Sequence, residues 1–298
     1  LYLAGRPVHA SSAPLFAHWL PHVGPGTPAA IAIAVLVVRY GPAVAATAPW
    51  RRMLAGAYLA AVAWILALAL VDGWQRGVAG RLTTRYEYLS EVDAVTGVRA
   101  FLRDFSGGIL EVWATHVAGH PPGALLVFVA LDRAGLGGGG WAALACVVVG
   151  GLVAVAVPMT LRAAGDEAAA RAAAPFLVLF PGAVWTGVSA DGLFAGVTAT
   201  GLALLAVGLS RPSGPAAFGA GVLLAAGLYL SYGLVLIAPL ALAGVIGVRR
   251  FVPLLWTVLG AAVVVAGVTA AGFWWVDGYL LVRQRYYAGV ASTRPYAY

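Results

Sequence analysis

The chain has no lysine and no asparagine, a single cysteine, two methionines, and charged side chains at only 10% of its 298 positions. Each shortage excludes something. A water-soluble domain carries about 25% charged residues, so a globular protein in free solution is excluded. The one cysteine, Cys146, lies in an apolar run, which rules out an intrachain disulfide and leaves the redox compartment unread. With lysine absent, all 18 basic residues are arginine, a bias that matches a GC-rich genome rather than a nucleic-acid surface. The net charge of +7 is then expected from topology, because the cytoplasmic loops of membrane proteins collect basic residues. Nucleic acid is not an expected partner. Leu1 in place of an initiator methionine, and an end at Tyr298 inside a motif, are expected of a fragment, so a missing signal peptide carries no weight.

What fills the chain is apolar: 62% of residues are hydrophobic. Runs such as 54–71 and 253–276 reach the roughly 20 residues that a helix needs to cross a bilayer. They lack the alternation of a membrane β-barrel strand. The expected fold is all-α, a single polytopic transmembrane helical bundle over 1–298. Its candidate spans are 28–48, 53–71, 121–135, 141–161, 172–187, 192–209, 215–230, 233–248 and 253–276. No internal repeat of fixed period is visible.

Arginine placement sets the expected orientation. Arg51 and Arg52 put the first connection in the cytoplasm, so the long polar loop 72–120 faces outward. From the other end, Arg249, Arg250 and Arg211 are cytoplasmic, which places Asp191 and the tail after Val276 outside. Arg162 and Arg171 then fall inside and the glycines 137–140 outside, leaving both ends of 121–135 on the outer side. A helix cannot cross once and return to its own side. Its apolar stretch, 123–131, is short and ends in Asp132 and Arg133, as an interfacial or re-entrant helix would. The expectation is about eight spans plus one embedded helix, in the cell membrane, with the polar loop on the extracytoplasmic face.

That loop concentrates the polar side chains. After Asp72 it holds Glu87, Glu91, Asp93, Asp104 and Glu111, five of the eleven acids, and the two histidines outside the N-terminal stretch, His116 and His120. In 83–90 (TTRYEYLS), Glu87 sits between two tyrosines, two residues after Arg85. A carboxylate in partly apolar surroundings has its pKa raised toward the range of a general base. A solvated acid paired with a nearby arginine has the same spacing, and Glu91 and Asp93 compete. Asp104 and Glu111 are expected on the polar faces of short amphipathic helices, 98–105 and 109–113.

In 115–123 (THVAGHPPG), His116 and His120 are four apart, but Gly119, Pro121 and Pro122 interrupt a helix and no third ligand follows at fixed spacing. Zinc is therefore not expected. His120 stands instead at the mouth of a Pro-initiated helix, whose free N–H groups favour an anion. An ordinary helix start reads the same way. Asp191, in Ser189–Gly192, is expected as a helix N-cap, a role compatible with a site. Asp277 with Arg283, Arg285, Tyr286 and Tyr287 makes a second outward polar cluster, or an interfacial belt. Asp166 and Glu167 with Arg162 and Arg171 form a cytoplasmic helix connection. Gly137–Gly140 lacks the lysine and hydroxyl of a phosphate loop and is a turn.

The order of these features resembles the GT-C superfamily of membrane glycosyltransferases: a span, an outward loop with an early carboxylate, His-Pro-Pro opening an apolar helix, then Ser-x-Asp before a later span. The likeness is to the branch of protein mannosyltransferases and aminoarabinose transferases. The stretch 273–298 (FWWVDGYLLVRQRYYAGVASTRPYAY) and HVAGHPPG look like multi-span membrane proteins of GC-rich bacteria. The resemblance implies a polyprenyl-phosphate-linked sugar as donor, and a glycan, lipid or protein acceptor met at the outer leaflet among membrane lipids. No other cofactor is implied. It gives Glu87 the role of catalytic acid-base residue and Asp191 that of the second outward acid. His120, Pro121 and Pro122 match the helix near the lipid phosphate. Arg85, His116, Arg283 and Arg285 compete for the basic residue against that phosphate. The family's first acid stands closer to the preceding span; here Glu87 follows Val71 by 16 residues, while Asp72 follows it directly. A transporter or flippase is the alternative, and a non-catalytic assembly subunit a third reading. Transport favours ionisable groups within the spans, and these spans are nearly free of them.

Overall fold

The computed structural model describes residues 21–248 and 250–289, all helical or irregular, with no strand among them. Helices α1 (Thr27–Thr47) and α2 (Trp50–Ala69) pack antiparallel, with the Gly26 amide donating to the Leu70 carbonyl. The polar segment follows as a 3-10 turn (Leu70–Asp72), a π-helical turn (Trp74–Ala79), a second 3-10 turn (Tyr88–Glu91), α3 (Val98–Gly108) and α4 (Thr115–Gly119). Then come α5 (Gly123–Arg133), and α6 (Gly139–Gly151) with α7 (Val153–Ala163), which interrupt only at Leu152 and form one 25-residue stretch. The remainder is α8 (Glu167–Val178), α9 (Ala183–Thr186), α10 (Ala190–Ser210), α11 (Gly214–Leu228), a 3-10 turn (Tyr232–Ile237) leading into α12 (Ala238–Val248), α13 (Phe251–Ala270) and α14 (Trp275–Ala288). Among the described residues, five stretches are long and apolar enough to cross a bilayer: α1, α2 with its 3-10 extension, α6–α7, α10 and α13. The chain is a helical membrane protein.

Several expected spans are shorter or broken. The segment 172–187 is interrupted after Val178, with Pro181 in the break, and resumes only as the single turn of α9. Helix α11 has 15 residues, and 233–248 starts as a 3-10 turn. The span expected to run to Val276 stops at Ala270; Gly272, with φ 112°, turns the chain, and α14 is a separate helix. Helix α5 has 11 residues, or about 16 Å at 1.5 Å per residue, roughly half of a hydrocarbon core.

The described residues sort to two ends. Arg162 and Arg171 each pair with Glu167 at 2.9 Å and lie over the Trp50 ring. Arg171 also donates to the Ala45 and Ala48 carbonyls, and Arg250 to those of Leu209 and Ser210. A cavity of about 310 Å³ joins Trp50, Arg162 and Arg211. Because α2 starts at Trp50 and α10 ends at Ser210, Asp72 and Asp191 lie at the opposite end. Helix α5 begins and ends at that second end: Gly123 abuts the Tyr229 carbonyl and Arg133 donates to Val95 and Thr96 of the polar segment. Arg249 and residues after 289 lie outside the described residues.

The helices approach through small residues. A Cβ on Gly260 of α13 would meet the Phe218 carbonyl of α11, and one on Gly221 of α11 the Thr257 carbonyl of α13. With lipid as solvent there is no hydrophobic drive between such helices, so close backbone contact supplies the attraction.

The polar segment is folded rather than extended. Helix α3 buries Phe101, Leu102 and Phe105 and exposes Arg99, Arg103 and Asp104, the amphipathic pattern expected. Its buried face joins Tyr88, Ile109, Val117, Phe128, Phe194, Tyr229 and Phe273 in one core over the end of the bundle. Residues 109–113, expected as a helix, are turns, since Trp113 folds back to donate to the Phe105 carbonyl at 2.8 Å and stacks on that ring.

Candidate functional site

Three segments meet at the acidic end. The first turns at Thr84–Glu87, where the Glu87 amide donates to the Thr84 carbonyl, before the 3-10 turn that buries Tyr88. The second is α4. The His116 amide donates to the Tyr86 carbonyl at 3.0 Å, and Glu91 accepts from the Ala114 amide at 3.1 Å, so backbone and side chain both lock α4 to the first segment. The third is the start of α10. Ser189, not Asp191, is the N-cap: its hydroxyl accepts from the Asp191 amide at 3.1 Å and donates to the Asp191 carboxylate at 3.3 Å. Asp191 instead occupies the first turn, where a negative charge suits the helix dipole. The residue before the cap, Val188, is buried at φ 54°, a strained setting for a β-branched side chain.

Glu87 Oε1 lies 3.5 Å from His116 Nε2, with the carboxylate half-buried and the imidazole more open. Burial raises the Glu87 pKa above the usual carboxylate value; His116 and Arg81 pull it down, and Asp191 pushes it up again. Asp191 is therefore in electrostatic reach of Glu87, although about a hundred residues separate them. His120 donates through Nδ1–H to the His116 carbonyl at 2.9 Å, and its ring packs on Phe194 and Tyr88. Burial lowers its pKa, so the imidazole tends to be neutral; the His116 carbonyl and Asp191 act in the other direction. The two imidazoles stack with centroids 6.4 Å apart, both beside Tyr88. Although Gly119 and Pro121 shorten it, the one-turn α4 places both histidines together, with His120 as its C-cap.

The remaining residues divide. Arg85 lies over the neighbouring Tyr86 ring and hydrogen-bonds its hydroxyl, so its guanidinium is engaged locally. The arginine that acts on Glu87 is Arg81, which spacing from Glu87 did not single out. Arg81 lines a cavity of about 320 Å³ with His22, Asp72, Gly77, Ala183 and Gly187, between the end of α2 and the approach to α10. Asp72 there is paired with His22 at 3.2 Å and Arg76 at 3.6 Å. Asp93 belongs to a separate cleft of about 280 Å³ with Thr83, Ser90 and Asp132. Arg283 lies over the Tyr287 ring, and Arg285 donates to the Ile109 and Trp113 carbonyls, fastening α14 to the polar segment. The structure therefore gathers Glu87, His116, His120 and Asp191, and gives Arg283 and Arg285 partners elsewhere. Tyr88, at the centre of the gathered group, was legible only as a neighbour of Glu87.

Among the described residues no three His, Cys, Asp or Glu side chains converge as a metal-binding set. Comparison with protein-family models, with curated proteins and with solved structures returned no match. The chemistry is read from the side chains themselves. They supply a half-buried carboxylate with a raised pKa, an imidazole within contact of it, a second carboxylate, and a nearby arginine.

Proposed function

We propose that this chain is a membrane glycosyltransferase of the GT-C type, moving a sugar from a polyprenyl-phosphate donor to an acceptor hydroxyl or amine at the extracytoplasmic face. In this reading the chain crosses the bilayer eight times with α5 embedded at one face. The arginine end is cytoplasmic by the positive-inside rule, and the Glu87 end faces outward. What carries the reading is the meeting of Glu87 and His116 at 3.5 Å with Asp191 in electrostatic reach, three segments distant in sequence at one end of a membrane bundle.

Glu87 is the base, Asp191 lines the acceptor side, and His116, His120 and Arg81, with Arg85 near by, face the donor phosphate. The acceptor oxygen or nitrogen forms a bond to the anomeric carbon as the bond from that carbon to the phosphate oxygen breaks. The phosphate leaves with the electron pair, and Glu87 takes the acceptor's proton. Direct displacement of this kind inverts the anomeric centre. The arginines stabilise the charge that grows on the leaving phosphate. Apolar helix faces accommodate the polyprenyl chain.

The test is transfer of radiolabelled sugar from polyprenyl phosphate by the purified chain, lost in Glu87→Gln. Solute exchange across vesicles with no transfer would replace this reading with a transporter or flippase. Neither activity, with transfer restored only by another polypeptide, would make the chain an assembly subunit.

A further inference from the structure

A cavity of about 310 Å³ opens at the arginine end, where α2 begins and where α7 and α10 stop. Arg162 and Arg211 line it, and no acid does. The cavity of similar size around Arg81, at the other end, has Asp72 in its wall. Both acids of the arginine end are engaged outside the cavity. Glu167 accepts from Arg162 and Arg171 at 2.9 Å, and Asp166 caps α8 by accepting from the Ala169 amide at 2.7 Å. Arg162 is held by that pair and by the Trp50 ring, 4.4 Å from its guanidinium. Arg211 is exposed, and its guanidinium has no hydrogen-bond or ion-pair partner among the described residues. Arg51 and Arg52, both exposed, add positive charge beside Trp50. An anion is the missing counterpart.

The level of the cavity decides which anion fits. Trp50 opens one membrane-long stretch, while Ala163 and Ser210 close two others, so the cavity sits where hydrocarbon gives way to water. Tryptophan is enriched at that boundary. Met159, Ala163 and Val207 make the apolar part of the wall. A soluble anion has no use for such a surface, whereas a lipid lays its glycerol and first methylenes against it. We propose that this cavity binds the headgroup of an anionic phospholipid, with the phosphate between Arg162 and Arg211. Basic pockets between membrane helices recognise anionic headgroups in this way. A choline headgroup brings an ammonium that the arginines repel. The proposal requires only a membrane surface at this end of the bundle. It stands whether the chain transfers sugar, moves solute or does neither.

The test titrates the delipidated chain, in neutral detergent, with phosphatidylglycerol, phosphatidylcholine of the same acyl chains, or inorganic phosphate, and reads thermal melting. Phosphatidylglycerol is expected to raise the wild-type melting temperature to a plateau, and the other two to leave it unchanged. Arg211→Gln should melt as wild type without lipid, because its guanidinium has no partner to lose. It should need about fivefold more phosphatidylglycerol for half the rise, the usual share of one arginine at an anionic membrane surface. Ala163→Trp keeps every charge and fills the cavity, so the rise should disappear. Arg99→Gln removes an exposed arginine of α3 at the opposite end and should respond as wild type. No rise in wild type, equal titrations in Arg211→Gln and wild type, or an equal loss in Arg99→Gln would overturn the site. The same rise with phosphatidylcholine or with inorganic phosphate would overturn the lipid assignment. If Ala163→Trp fails to fold, the comparison of Arg211→Gln with Arg99→Gln still decides.

Discussion

Glu87→Gln separates chemistry from folding more cleanly than any other change in this chain. The amide keeps the carboxylate's shape and loses its charge. The ion pair lost is modest: Glu87 and His116 are 3.5 Å apart with side chains 21% and 47% exposed, and a pair that open contributes at most about 1 kcal/mol. Burial works in the opposite sense. It raises the folded-state pKa of Glu87 above the usual carboxylate value, so the folded chain binds this proton more tightly than the unfolded chain does. Stability therefore falls as pH rises from the unfolded value through the raised folded one, and the loss is complete above it. The variant has no such slope. At neutral pH it is expected to melt close to wild type or above it, while at low pH, with both forms neutral, the difference closes. Transfer, by contrast, is expected to fall by about 10²–10⁴, the usual contribution of a positioned base and about 2.7–5.4 kcal/mol of barrier. The wild-type rate should climb with pH through the raised Glu87 pKa, because the base works ionised. Melting curves and single-turnover transfer across pH read both effects. Turnover within a few-fold of wild type, with Asp72→Asn or Asp93→Asn inactive instead, would refute the assignment. A loss of activity that tracked a loss of fold would refute the catalytic argument.

Arg285→Ala is expected to lower stability by about 1.5–3 kcal/mol, since a charged donor to the Ile109 and Trp113 carbonyls is removed. Weaker donor binding at unchanged stability would instead return Arg285 to the phosphate. Gly260→Ala should destabilise by roughly 1–3 kcal/mol, because its Cβ meets the Phe218 carbonyl. The same change at Gly267, where nothing lies within 4 Å, should be neutral or stabilising in a parallel melt. In a Cys146→Ala background, Ser90→Cys should react with an impermeant maleimide in intact cells, and Ala164→Cys only after permeabilisation; the reverse pattern would invert the orientation.

Apolar runs bounded by arginine, proline and glycine were enough to place the long helices, because burial in lipid is a property of composition. Where backbone geometry decides, composition is silent. Hydropathy continues through Phe273 and Val276, so Gly272 is the one local mark of the end of α13. The break follows from partners that sequence does not announce: Phe273 edges onto Phe105 and Tyr229, and the Trp275 indole donates to the Leu228 carbonyl. The interruption after Val178 was also hidden, although Pro181 signals it in retrospect. At the site, orientation from arginine placement was sufficient to expect Glu87, His116 and Asp191 at one end, without using their chemistry. Choosing among arginines was a different matter. Arg85 is nearer Glu87 in sequence, but the adjacent Tyr86 ring captures it, and Arg81 acts on the carboxylate across the turn. Tyr88 was obscured for a related reason, since a tyrosine beside an acid in a loop reads as surface until Phe128 and the two imidazoles enclose it.

The distribution of ionisable groups also bears on transport against surface chemistry. A transporter keeps such groups at mid-bilayer, facing the bundle interior, where alternating access can reach them. Among the five long stretches, charges sit at the ends of α2, α6–α7 and α10, and α13 has none. Arg39, inside α1, is the exception. Its residue is exposed on the outside of the bundle, beside the Tyr40 ring, and it stands eight residues from Thr47. That is about 12 Å from the arginine end at 1.5 Å per residue, a reach that a long side chain shortens by snorkelling. A lipid-facing arginine directed to the interface offers no path through the protein. Among the described residues, the buried unpaired side-chain polar atoms within the long stretches are the Trp64 indole N–H and the Thr198 hydroxyl, and neither carries a charge. Glu87 and Asp191 lie instead at one end of the bundle, under the folded polar segment. In the proposed reading a substrate meets them from the membrane surface, and no helix has to move through the bilayer.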